Sequence, residues 1–171
     1  MLFRWVLATI AAVAPPCIAT SPECTEWVKL AGQTAQVLVY RNYPLETRNE
    51  NITRAFVFVH GINRDADNHF RTALAGAFLA GTLNDTVIVA PRFASNSSAP
   101  GNEAGDCRDT MAHDEANWFC DPSRTDTWRS GGGEAGNPKL TSFDFMDEII
   151  RRVARKDTFP NLKTIVVAGH S

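Results

Sequence analysis

No apolar run in this chain reaches the ~20 residues that a membrane-spanning helix needs, so no membrane span is expected. A one-sided charge is missing too. The 17 Lys and Arg stand against 19 Asp and Glu, a net charge of −2, which gives no electrostatic case for nucleic acid or an anionic membrane surface. No two cysteines have the close spacing of a zinc site, and no metal ligand set is predicted.

What is present describes a chain with a real core. Hydrophobic residues make up 44% of the 171 positions, charged residues 21% and aromatic residues 9%, enough for one domain or a large part of one. The N-terminus reads separately. In MLFRWVLATIAAVAPPCIAT a single cation, Arg4, precedes an apolar stretch, and Cys17 and Ala19 stand at the −3 and −1 positions of a cut before Thr20. That is the layout of a secretory signal peptide, so residues 1–19 are assigned to a leader and 20–171 to the fold, with a secreted or periplasmic location.

Export changes the meaning of the cysteines. Cys24, Cys107 and Cys120 remain after the cut, an odd number in an oxidising compartment. Cys107 and Cys120 flank a short loop and are predicted to pair, leaving Cys24 free or bonded to something outside this chain. Three sequons, Asn51-Ile52-Thr53, Asn84-Asp85-Thr86 and Asn96-Ser97-Ser98, stand against roughly 1.5 expected by chance; they acquire meaning only in a eukaryotic secretory route.

Past the leader, the run AQVLVY (35–40) predicts a strand, and AFVFVHG (55–61) a strand buried on both faces. Residues 65–81 predict a helix with Phe70, Ala73, Leu74, Ala77 and Phe78 on its apolar face and Gly81 as its stop. DTVIVAPRF is the next buried strand, ended by Pro91. Residues 94–139 form a long excursion rich in Gly, Ser, Asn and Asp, with Trp118, Phe119 and Trp128 scattered through it. TSFDFMDEIIRRVARK predicts a helix with Thr141 and Asp144 as a capping box and a stripe of Phe143, Met146, Ile149, Ile150 and Val153. Its basic last turns complement the helix dipole and read as helix-end charge. Thr164–Ala168 is the final strand. Buried strands alternating with amphipathic helices imply a mostly parallel sheet with helices on both faces, where ligands bind at the carboxyl ends of strands.

Two segments put chemistry at such ends, His60-Gly61 and Gly169-His170-Ser171. A strand running straight into Gly-His-Ser is the layout of a nucleophile elbow, in which small flanking residues such as Gly169 admit neighbouring backbone and the turn lifts the serine Oγ clear of the sheet. Gly61 lets the earlier loop turn tightly and makes the Ile62 N–H a candidate oxyanion donor. His113-Asp114-Glu115 reads as a solvated acidic loop, and His69 as a helix-packing residue.

Here VFVHGINRDADNHF resembles the His-Gly oxyanion loop and following helix of the α/β-hydrolases, and FPNLKTIVVAGHS their nucleophile strand and elbow. TSFDFMDEII is similar to the helix leading into that strand in secreted esterase-like members, and TWRSGG to their Trp-x-x-Gly segment. The resemblance implies an α/β-hydrolase fold of which this chain is the N-terminal part. It also implies a serine esterase or lipase-like enzyme forming an acyl-enzyme on Ser171, with no cofactor and a small-molecule or polymeric ester as substrate. His60 and His170 would be structural neighbours of the site. In that family the triad acid and histidine follow the serine in chain order, so the 171 residues alone are expected to be inactive. The rival expectations are a secreted binding protein on the same scaffold, or a thioesterase or amidase.

Overall fold

The computed structural model describes residues 15–102, 107–121 and 123–169, and every structural statement below concerns these. Most of the expected leader lies outside them. Seven strands and two α-helices follow in the order β1 (Thr25–Lys29), β2 (Gln36–Arg41), β3 (Arg54–Val59), α1 (Ala66–Leu79), β4 (Thr86–Arg92), β5 (Gly133–Glu134), β6 (Asn137–Thr141), α2 (Ser142–Val153) and β7 (Thr164–Gly169).

Five strands form one sheet in the order β1-β2-β4-β3-β7, while β5 and β6 make a separate two-stranded ribbon. The pairs β1–β2 and β2–β4 are antiparallel, and β4–β3 and β3–β7 parallel. This overturns the expected α/β-hydrolase fold with its mostly parallel sheet and helices along both faces. The sheet is mixed, it carries one α-helix per face among the described residues, and no α-helix occurs between β4 and α2. The reason is local. A short turn returns β1 onto β2, which forces antiparallel pairing, whereas a parallel pair needs a long crossover.

Alternation along β4 divides the core. Val87 and Val89 face one cluster with Trp118, Phe145, Ile149 and Val153; Ile88 and Ala90 face the other, with Phe70, Leu74 and Cys24. A strand buried on both faces has no polar alternation, and TVIV shows none. Burying each such aliphatic side chain contributes about 1.5–3 kcal/mol. Strand β1, TEWVK, escaped the sequence reading because polar residues interrupt it.

Side chains complete β4 where its neighbours stop. Beyond Arg41 the fully buried Asn42 donates from Nδ2 to Thr86 O (2.9 Å) and accepts the Ile88 N–H on Oδ1 (2.7 Å). Pro91, expected to end β4, lies within it, opposite Val39. The ladder to β3 has ended at Val89, so the missing proline N–H breaks no bond on that side.

Each helix buries much of the face expected of it and turns one expected aromatic outward. In α1, Ala66, Phe70, Ala73 and Leu74 are buried, but Phe78 is 70% exposed. In α2, Phe145, Ile149 and Val153 are buried and Phe143 is 57% exposed. Phe143 lies instead over Gly131, where an added Cβ would fall 2.5 Å from its ring, so its contact is with the turn after Trp128. The Thr141–Asp144 capping box is formed, with Asp144 N donating to Thr141 Oγ1 (3.1 Å) and Thr141 N to Asp144 Oδ2 (2.8 Å). The basic end of α2 is ion-paired: Arg151 and Arg152 with Glu148 (2.7 and 2.8 Å), and Arg155 with Glu46 and Asp157.

All four cysteines are paired. Cys107 bonds Cys120 across the excursion, and Cys24, expected to have no partner in this chain, bonds Cys17. The Cys17 N–H also donates to Asn42 O (2.7 Å), laying the segment before β1 along the sheet.

Candidate functional site

The parallel register of β3 and β7 pairs Val59 with Gly169. These residues directly precede the two segments singled out above, so the strand ends that lead into them lie side by side. His170 and Ser171 themselves lie outside the described residues.

His60 is almost fully buried and both its nitrogens are engaged. Nδ1 lies 2.8 Å from Gly61 O, and Nε2 lies 3.0 Å from Phe93 N. Since a backbone N–H only donates, Nε2 is the acceptor and the proton sits on Nδ1, donating to Gly61 O. The ring stands edge-on to Trp128 (4.6 Å between centroids), which stacks on Phe93 (5.4 Å). Burial pushes the imidazole down to about 4, against the opposing bond to Gly61 O, so it is neutral near pH 7. With its lone pair taken by Phe93, His60 has nothing left with which to accept a substrate proton.

The loop after His60 turns tightly. Arg64 N–H donates to Gly61 O (3.1 Å), and Arg64 adopts a left-handed φ of 55°. Its buried guanidinium donates to Asp109 Oδ2 (2.7 Å) and to Ile62 O (3.2 Å), and the same carboxylate accepts the Ser95 N–H (2.8 Å). The excursion therefore holds the loop from the side. Ile62 is 46% exposed at its tip. At Gly169 an added Cβ would be 4.0 Å from Val59 O, ordinary contact, so among the described residues no close backbone approach demands that glycine.

A cleft of about 370 Å³ opens beside the loop, lined by Phe58, Gly61, Ile62, Asn63, Asp65, Asn68, His69 and Thr72. It contains a pair the sequence reading passed over. His69 Nδ1 lies 3.0 Å from Asp65 O and 3.4 Å from Asp65 Oδ1, while the ring stands edge-on to Phe58 at 4.8 Å. The signal was available: Asp65 and His69 are four apart at the start of a helix, and such residues share a face.

The acidic segment of the excursion divides. The His113 side chain is 93% exposed and pairs with Asp114 (2.9 Å), whereas Glu115 is buried against Arg92 (3.4 Å) with its carboxyl pushed up by desolvation. Among the described residues no group of three His, Cys, Asp or Glu is placed to hold a metal ion, and no helix is long and apolar enough to cross a membrane. No family model, curated protein or solved structure matches this chain.

Proposed function

We propose that the paired ends of β3 and β7 build one half of a serine acyl-transfer site, acting on ester bonds in an exported protein. Ser171 Oγ would attack the ester carbonyl, the alcohol would leave, and water would release the acyl group. The Ile62 N–H would face the developing oxyanion, an interaction of several kcal/mol in a water-poor site. The observation that carries this reading is the Val59–Gly169 register, which sets a glycine-turned loop beside a strand that leads into Gly-His-Ser. The likeness of both segments to α/β-hydrolase motifs supports the chemistry; the mixed sheet means that the architecture is not carried over with it. The two disulfides are compatible with an extracellular location.

Activating the serine requires a base. His60 is spent on Phe93, and His113 is far out in solvent. His69 lines the same cleft as Ile62, with Asp65 against its Nδ1. The alternative source is a residue outside the described ones.

The experiment is fluorophosphonate labelling of the protein as isolated from its source, with peptide mapping. Ser171 should carry the label and Ser171→Ala should abolish it. Labelling that survives that substitution overturns the reading. His69→Gln then separates the two sources of base: rate loss with unchanged KM assigns it to His69, and an unaffected rate assigns it elsewhere.

A further inference from the structure

The three sequons are equivalent in sequence and different in the fold. Asn51 and Asn84 are exposed, and neither carboxamide has a hydrogen-bond partner among the described residues. Asn96 is half-buried and its Oδ1 accepts from Asn117 Nδ2 (2.7 Å) and Ser98 N (3.0 Å), while its carbonyl accepts from Asn102 Nδ2 (3.0 Å). That network ties the start of the excursion to its middle.

The first two sequons also lie side by side. Thr53 N–H donates to Asp85 O (2.9 Å), and Thr53 Oγ1 to Asp85 Oδ2 (3.1 Å), joining the third residue of one to the second residue of the other. Both precede strands that run parallel, with Arg54 opposite Thr86. They therefore sit at the amino ends of β3 and β4, the opposite end of the sheet from Gly61, Ile62 and the cleft.

We propose that Asn51 and Asn84 are N-glycosylation sites and that Asn96 is not occupied in the folded protein. Each Asn Nδ2 takes the anomeric carbon of a lipid-linked oligosaccharyl pyrophosphate. The C1–N bond forms, the C1–O bond to pyrophosphate breaks, the lipid pyrophosphate leaves with the electron pair, and the amide gives up one proton. Transfer competes with folding, which leaves Asn51 and Asn84 open to the donor and draws Asn96 into its contacts. Sugar at Asn51 and Asn84 projects into solvent away from the cleft; sugar at Asn96 must be housed beside the Asn102–Asn117 contacts that order the excursion. Glycosylation rests on the export reading, since the donor is found only along a secretory route.

The test expresses the full chain in a glycosylating eukaryotic secretory host, once with its own N-terminus and once behind a leader of proven export. Secreted protein is deglycosylated enzymatically and mapped, each occupied asparagine reading out as aspartate. Behind the proven leader, aspartate at positions 51 and 84 and unchanged Asn96 support the proposal. Unmodified Asn51 or Asn84, or an occupied Asn96, overturns it. Asn51→Gln and Asn84→Gln should each remove one glycan from the intact mass and the double variant all of it. Failure of the native N-terminus to export the chain counts against the export reading alone.

Discussion

His60 Nε2 accepts the backbone N–H of Phe93 at 3.0 Å, taking the place of a carbonyl from β3 after the β3–β4 ladder has stopped at Val89. One buried ring thus fixes where the first loop of the candidate site leaves the sheet, with its other nitrogen on Gly61 O.

Replacing that ring removes the partner of a buried donor and opens a void beside Trp128. His60→Ala should destabilise the fold by about 2–4 kcal/mol, read as a shift in denaturation midpoint with unchanged slope. A loss within measurement error would show that water fills the place of the ring without cost.

The same burial predicts a pH signature. The imidazole titrates at about 4 in the fold against an ordinary 6.5, so on acidification the unfolded chain binds the proton first. Stability owed to His60 is complete above pH 6.5 and declines as pH falls toward 4, by roughly 3 kcal/mol in all. Glu115, whose carboxyl burial raises, acts with the opposite sign, losing its contribution as pH rises through its folded value. The difference between native and His60→Ala stability profiles isolates the histidine; a flat difference between pH 4 and 6.5 contradicts the assignment.

Non-reducing peptide maps should find Cys17 with Cys24 and Cys107 with Cys120. Replacing Cys107 and Cys120 together by serine should cost about 2–3 kcal/mol, because the bond closes a loop of modest length. A map with crossed pairs or free thiols refutes this arrangement.

Strand β7 lies at the edge of the sheet, and Val166 and Val167, on opposite faces, are each 49% exposed. An apolar edge with unpaired backbone invites intermolecular pairing. The 171-residue chain is therefore expected to self-associate in a concentration-dependent way, and Val167→Lys to shift it toward monomer with an unchanged circular dichroism spectrum. Sedimentation that shows equal monomer fractions for both proteins would remove the edge as the cause.

Much of this was legible where one signal stood alone. The apolar runs gave β3, β4 and β7 within a residue or two, and the Thr141–Asp144 spacing gave the start of α2. Where signals competed, the reading failed. In SFDFMDEIIRRV Ile149 and Val153 are buried as expected, but Phe145 takes the inward place expected of Phe143, which packs on Gly131 instead. Runs of Val and Ile do not encode strand direction, so the antiparallel placement of β2 between β1 and β4 was invisible, and with it the mixed sheet. At the candidate site, the strand ends were found from their glycines. The Arg64–Asp109 ion pair joins residues 45 apart, which no local pattern announces.

The Cys17–Cys24 bond sets a constraint on the order of two covalent events. If a peptidase cuts before Thr20 while the thiols are still reduced, the partner of Cys24 departs and the buried sulfur is left unpaired. If oxidation comes first, the same cut severs the backbone without releasing anything, and the excised segment stays tethered to the body through sulfur. A single continuous chain holding the bond described here arises only when any cut falls on the amino side of Cys17.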